Sequence, residues 1–168
     1  MTTDISLDLI KELRERSGAG IMDCKRALEA TDGNLDKAAA LLVEQGIARA
    51  EKKADRVTAQ GLIESYIHAG RIGAIVEVNC ETDFVARTAE FQTLVHEIAM
   101  QVAASNPAVV SEDQLEEGME GAPEELVLLN QPYIRDPSKN IRQLISETIG
   151  KTGENIQVRR FSRFELGQ

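Results

Sequence analysis

The hydrophobic period of this chain changes once, near residue 58, and that change divides what it can fold into. Downstream, Ile72, Ala74, Val76 and Val78 alternate with Gly73, Ile75, Glu77 and Asn79, the two-residue period of a half-buried strand. The run from Leu62 to His68 carries Ile63, Tyr66 and Ile67, and Ala69-Gly70-Arg71 follows as a turn. The two runs predict an antiparallel hairpin. A two-stranded ribbon alone is marginal in water, so a third strand is needed. The closing run supplies one: Ile156, Val158, Arg160, Ser162, Phe164 and Leu166 alternate with Gln157, Arg159, Phe161, Arg163 and Glu165. Two amphipathic helices are expected between hairpin and last strand. Phe91, Leu94, Val95, Ile98 and Val102 mark the first, with Thr88 as N-cap and Asn106-Pro107 as its stop. Ile141, Leu144, Ile145 and Ile149 mark the second, which ends near Gly150.

Upstream of the change the period is helical. Leu9, Ile10 and Leu13 follow Ser6, and Ser17-Gly18-Ala19-Gly20 breaks the run. Ile21, Cys24, Ala27 and Leu28 share a second helical face, and Leu35, Ala38, Ala39 and Leu42 a third, ending near Gly46. The expected organisation is a three-helix module over 1-47, a helical linker over 48-58 and an α+β core over 59-168, a small antiparallel three-stranded sheet packed with helices on one face.

Charge narrows the function classes. The 28 acids and 19 bases give a net charge of −9. Between Thr88 and Ile134 there is no Lys or Arg, and acids crowd from Glu112 to Glu125; such a run reads as a solvated surface. An acidic chain without a basic block is a poor direct binder of nucleic acid, whose affinity is dominated by phosphate contacts. The lack of Trp and an aromatic content of 4% argue against a base-stacking platform. No apolar run approaches the roughly 18 residues of a membrane span. Met-Thr-Thr-Asp at the start does not read as a secretory leader, and two cysteines form no disulfide framework. A reduced, cytoplasmic protein is expected.

Little in the residues reads as catalytic. Cys24, Cys80, His68 and His96 match no zinc spacing, so neither a metal nor a cofactor is expected. Cys80 and His68 flank the predicted hairpin, which leaves a nucleophile–base pair as one reading, without a third orienting group. Ser17-Gly18-Ala19-Gly20 follows a helix and lacks a following GKS or GKT, so it is no phosphate loop; it either turns the chain or presents Ile21 and Met22 to a partner. The segment Asn79-Cys80-Glu81-Thr82-Asp83-Phe84-Val85-Ala86-Arg87 is the most informative. Phe84 sits between a strand and a helix. It is either packed in its own core or presented as an anchor to a partner, and Asp83 reads as a helix N-cap.

At these motifs the chain resembles the bacterial elongation factor Ts family. Leu13-Arg14-Glu15-Arg16-Ser17-Gly18-Ala19-Gly20-Ile21-Met22-Asp23-Cys24-Lys25 is similar to its N-terminal motif, and Asn79 to Arg87 to its second signature. Gly153-Glu154-Asn155-Ile156 with Val158-Arg159-Arg160-Phe161 resembles a third. The resemblance implies a guanine-nucleotide exchange factor for elongation factor Tu, acting without covalent chemistry. It implies that the N-terminal module is ubiquitin-associated-like and docks on the GTPase domain through Arg14, Ile21 and Met22. Thr82, Asp83, Phe84 and Val85 match the segment that intrudes near the magnesium and nucleotide site of elongation factor Tu. Family members often carry two Met where this chain has Ile21-Met22, and Thr where it has Ser17. Longer members hold two pseudo-repeated core halves and a coiled-coil insertion. This chain has one half and resembles the short form, in which two chains pair, so a homodimer through the sheet is expected.

Three other readings stand beside this one. The helical module alone would suit an adaptor for ubiquitin-like or other helical partners, which has no need of Cys80 to Arg87. Cys80 with His68 would suit a small hydrolase. Arg159, Arg160 and Arg163 on the last strand would suit an RNA binder.

Overall fold

The computed structural model describes residues 5–168; Met1 to Asp4, on which the reading of no secretory leader rests, lie outside the described residues. The fold is α+β: three N-terminal helices, then a three-stranded antiparallel sheet packed with helices.

Each N-terminal helix is delimited by its sequence. Helix α1 (Leu7–Ser17) starts where the Ser6 hydroxyl accepts the Leu9 N–H at 3.3 Å, which satisfies one of the unpaired first-turn amides. It stops at Gly18, whose φ of 65° favours glycine. Helix α2 (Ile21–Ala30) follows without a side-chain cap. Helix α3 (Leu35–Lys53) is capped by Asn34, which accepts the Lys37 N–H at 3.0 Å. Ile10, Leu13, Cys24, Ala27, Leu28, Ala38 and Leu42 close into one small core. Helix α3 runs unbroken through residues 48–53, and Ala50 in that stretch packs against the second, larger core. The Ala-rich composition there favours helix and the small side chain allows close approach.

Strands β1 (Gln60–His68) and β2 (Ile72–Cys80) pair antiparallel, Gln60 opposite Cys80 and His68 opposite Ile72. They are joined through Ala69 and Gly70 at φ 50° and 67°, with the Arg71 N–H donating to the His68 carbonyl at 2.9 Å. Positive φ at both central residues is the type I′ geometry that matches strand twist. Ala69 carries a Cβ into it.

After a single-turn helix α4 (Asp83–Ala86), helix α5 (Ala89–Ser105) lies across β1 and β2. Thr88 caps it, accepting the Phe91 N–H at 3.3 Å. Phe91, Val95, Ile98 and Val102 meet Ala74, Val76, Val78 and Cys80 of β2 in the larger core. The acidic stretch holds a 3-10 turn at Glu112–Gln114 and a one-turn helix α6 (Pro123–Leu126). A single parallel bridge between Val109 and Val127 pins it. A small ribbon of β3 (Pro132–Tyr133) and β4 (Asp136–Asn140) follows. The periodicity does not predict it, because two residues are too few to show a period. It is tied down by the buried Glu97 carboxylate of α5, which accepts the Tyr133 hydroxyl at 2.6 Å and pairs with Arg135 at 3.0 Å. Burial and then Glu97 push the Tyr133 hydroxyl up to about 12. Helix α7 (Ile141–Thr152) opens on a reciprocal cap between Asn140 and Gln143 and buries Ile141, Ile145 and Ile149.

Strand β5 (Ile156–Glu165) pairs with β2, giving the order β1-β2-β5. Its simple alternation is corrected by a bulge. Val158 faces Val78 but Arg160 faces Glu77, which leaves Arg159 as the extra residue. From there the faces exchange. Ile156, Val158 and Phe161 pack on the core, while Phe164 is exposed. Without the bulge, Arg160 would point into the apolar layer; with it, Arg160 reaches Glu77 at 2.7 Å.

Replacing Ala69 by Asn creates the Asn-Gly pair that type I′ turns favour and removes a left-handed alanine costing about 1 kcal/mol. Ala69→Asn is expected to raise the midpoint of thermal unfolding by roughly 2–4 °C for a chain of this size, read by calorimetry. A lowered midpoint contradicts this account of the turn.

Candidate functional site

The segment after β2 is built to hold one phenylalanine in water. Cys80 ends the strand fully buried, its thiol donating to the Thr82 carbonyl at 3.2 Å. The cap of α4 is Thr82 rather than Asp83, which is already the first helical residue: Thr82 is extended and accepts the Val85 N–H at 3.4 Å. One helical turn then sorts the side chains. Val85 and Ala86 enter the core, and Phe84 on the other side is 78% exposed. Of the two readings open for Phe84, core packing is thereby excluded. Leaving a phenylalanine side chain in water forgoes about 2–3 kcal/mol of burial, and here it does so on an ordered turn. Asp83 is half-exposed and pairs with Arg87 at 2.9 Å. Val85 anchors the turn from below.

The turn is held by a carboxylate from the far end of the chain. Glu154 accepts the Glu81 N–H at 3.1 Å, the Thr82 N–H at 3.0 Å and the Thr82 hydroxyl at 2.6 Å. Charge-assisted bonds of this kind are about twice as strong as neutral ones. In return the Glu81 carboxylate accepts the Asn155 N–H at 2.7 Å. The Asn155 side chain, buried to 2% exposure, donates to the carbonyls of Ala54 at 3.2 Å and Arg56 at 2.9 Å. Lys53 at the end of α3 donates to the Gly153 carbonyl at 2.8 Å, and burial holds its ammonium pKa below the usual lysine value. These partners are missed by local pattern reading because they lie 72 to 101 positions apart in the chain; the third sequence motif, Gly153 to Ile156, is their one sequence signal.

Arg14, Ile21 and Met22 flank the α1–α2 turn. Arg14 is exposed, as are Ile21 at 53% and Met22 at 64%. The turn is pinned from within by Ser17, whose hydroxyl donates to the Leu13 carbonyl at 2.7 Å and accepts the Ala19 N–H at 3.2 Å. At Gly18 the positive φ of 65° disfavours a larger residue, and the end of the exposed Lys151 side chain lies alongside. Asp23, one residue past Met22, forms a two-pronged pair with Arg49 of α3 at 2.9 and 3.1 Å. The Arg49 guanidinium holds the Asp23 carboxyl below the usual range. The Arg14–Met22 group and the Thr82–Val85 group occupy different parts of the molecule, with the end of α7 between them.

Geometry separates the other candidates. Cys80 and His68 stand at opposite ends of the hairpin, eight strand steps or ~26 Å apart, so they form no pair. Arg160 and Arg159 lie against Glu77 at 2.7 and 3.8 Å. Arg163 donates to the Ala103 carbonyl at 3.0 Å and pairs with Glu165 at 2.8 Å. The strand arginines thus serve the protein's own carboxylates and backbone. Among the described residues no group of His, Cys, Asp or Glu is arranged to hold a metal, and no helix is long and apolar enough to cross a membrane.

Fold and site together define a mixed helix-and-sheet protein that holds apolar side chains out on short ordered turns, Ile21 and Met22 on one and Phe84 on another. Comparison with known proteins makes this specific. A family model described as elongation factor TS matches residues 34–120. The elongation factor Ts of Thermoanaerobacter sp. (strain X514) is 47% identical over 98% of this chain and 96% of its own. That of Coprothermobacter proteolyticus is 48% identical over 98% and 100%, and that of Alkaliphilus oremlandii 44% over 98% and 90%. The chain belongs to the elongation factor Ts family. The first of these alignments covers 195 positions, more than the 168 residues here, so that relative carries residues between the aligned ends that this chain lacks.

Burial, and next the charge of Glu154, push the Cys80 thiol up to about 11, so it stays protonated at neutral pH and is a poor nucleophile. Native protein at pH 7.5 is expected to leave Cys80 unmodified by iodoacetamide for hours, and to react only after unfolding, as read by peptide mass. Labelling of native Cys80 within minutes contradicts its placement.

Proposed function

We propose that the exposed Phe84 turn is the means by which this chain performs its family's role, guanine-nucleotide exchange on elongation factor Tu. The observation that carries the reading is Phe84 itself, an aromatic side chain 78% exposed on a turn braced by Val85, Ala86 and Glu154. Nucleotide is held in a GTPase by Mg²⁺ bridging its phosphates and by loops closed over them. Magnesium tolerates little departure from octahedral geometry. A rigid apolar wedge that displaces the surrounding elements therefore loosens both ion and nucleotide. Thr82 and Val85 set the direction of the wedge from below, and Asp83 stands beside Phe84 to meet displaced backbone. Arg14, Ile21 and Met22 dock on the GTPase domain and bring the wedge to its place. Coupling is reciprocal: whatever factor the wedge takes from nucleotide affinity, nucleotide takes from the affinity of the wedge. GTP then drives the factor off by mass action, and no bond is made or broken.

A central aromatic anchor contributes about 2 kcal/mol to an interface. Phe84→Ala is therefore expected to slow stimulated release of a fluorescent GDP analogue from elongation factor Tu about 30-fold. Because Phe84 is exposed, the variant keeps its fold by circular dichroism. Stimulation equal to wild type moves the mechanism to another contact, and no stimulation by folded wild type on a cognate partner removes the exchange reading.

The second part of the proposal is a homodimer through the sheet. The face of the sheet away from α5 presents Ile63, Ile67, Ile75 and Phe164, each 48–70% exposed. In register, Ile67 stands opposite Gly73, which stands opposite Phe164, so the small residue leaves a trough between two large ones. Apolar faces of this kind mark interaction surfaces, and a second copy offers the same complement by two-fold symmetry. Light scattering is expected to give twice the chain mass of 18.4 kDa, with Ile67→Asp returning a folded monomer. A wild-type monomer at micromolar concentration rejects the dimer.

A further inference from the structure

We infer that the segment from Gly153 to Asn155 ties the Phe84 wedge to the end of α3, with Glu154 as the positioning residue that aims the wedge; this rests on the exchange reading above. In that reading the third sequence motif enters only through Glu154 as a brace, and the geometry gives its neighbours a part as well. On one side, the Gly153 carbonyl and the Asn155 side chain hold Lys53, Ala54 and Arg56, where the chain leaves α3. On the other side, Glu154 takes both backbone amides ahead of α4 and the Thr82 hydroxyl.

The chemistry of Glu154 suits aiming rather than mere support. A four-residue helix has little stability of its own, because nucleation costs more than one turn returns. Its entry is therefore set from outside. A carboxylate with two oxygens can accept from two adjacent amides and one hydroxyl at once, which fixes the start of the turn in position and in rotation. Phe84 lies two residues beyond the clamped Thr82, too near for its direction to drift while the clamp holds. Glutamine at 154 keeps an oxygen for the two amides and offers an N–H to the Thr82 oxygen. Alanine keeps neither.

The test separates aim from fold and from the exchange reading. The chain has no Trp and two Tyr, so Phe84→Trp places a single tryptophan on the wedge, excited selectively over tyrosine, whose anisotropy decay reports local motion without any partner. In that background Glu154→Ala is expected to raise the amplitude of fast depolarisation about two-fold, and Glu154→Gln to leave it unchanged. In chains that keep Phe84, Glu154→Ala is expected to lower the maximal rate of stimulated GDP release about 10-fold. The half-saturating concentration should shift less than three-fold, and Gln should restore most of the rate. Thr82→Val, which removes the hydroxyl arm and the α4 cap but keeps both amide arms, should show the same pattern at about three-fold and serves if the alanine variant does not fold. Unchanged depolarisation in Glu154→Ala overturns the aiming role whatever the exchange assay shows. So does an unchanged maximal rate, or a loss carried wholly by half-saturation. Failure of wild type to stimulate release removes the exchange reading, while the anisotropy comparison still decides whether Glu154 orders the turn.

Discussion

The packing of β2 against α5 is the constraint on which the rest of the molecule hangs. Ala74, Val76, Val78 and Cys80 line one face of a strand that is paired on both sides, and Phe91, Val95, Ile98 and Val102 fill the layer above. The chain must therefore leave β2 at a fixed point and re-enter as α5 at another. Only the few residues from Glu81 to Thr88 span that gap. So short a connection has few conformations, and a one-turn helix with Val85 and Ala86 inward is the one it takes. Phe84 faces solvent because its neighbours are committed to the core, not because it is loosely held.

Much of this was legible in sequence because it is local. The cap at Thr88, the stop at Asn106 and the period of β2 each depend on residues within a turn or two. The layout of three helices, a hairpin, covering helices and a returning strand follows from those signals together with the instability of a lone ribbon. What stayed hidden depends on distant partners or on backbone geometry. The bulge at Arg159 is invisible to a strict alternation, which puts Phe164 on the wrong face. The ribbon of β3 and β4 is held by Glu97 and Gln101 of helix α5, which are distant in sequence. The exposure of Phe84 cannot be read from an apolar side chain between two elements, since the same pattern serves a buried residue equally well.

The candidate site was legible in a different way. Composition and spacing reached Asn79 to Arg87 as a segment of interest and stopped there. Its resemblance to a family signature supplied the reading, and identity of 47% over nearly the whole chain places the protein in that family. Physical chemistry then adds what a signature does not state: which side chains of the motif face outward, which face inward, and what holds them. Thr82 and Val85 turn out to be structural members of the motif, whereas Phe84 is the member left to the solvent.

Helix α3 belongs to two cores at once. Its first half closes the N-terminal module through Ala38 and Leu42, and Ala50 in its second half rests on the larger core. Nineteen residues make a rod of about 28 Å. A rod clamped in two bodies acts as a lever arm: a tilt of about 5° at the module end displaces the far end by roughly 2.5 Å over that length, about the width of a single atom layer.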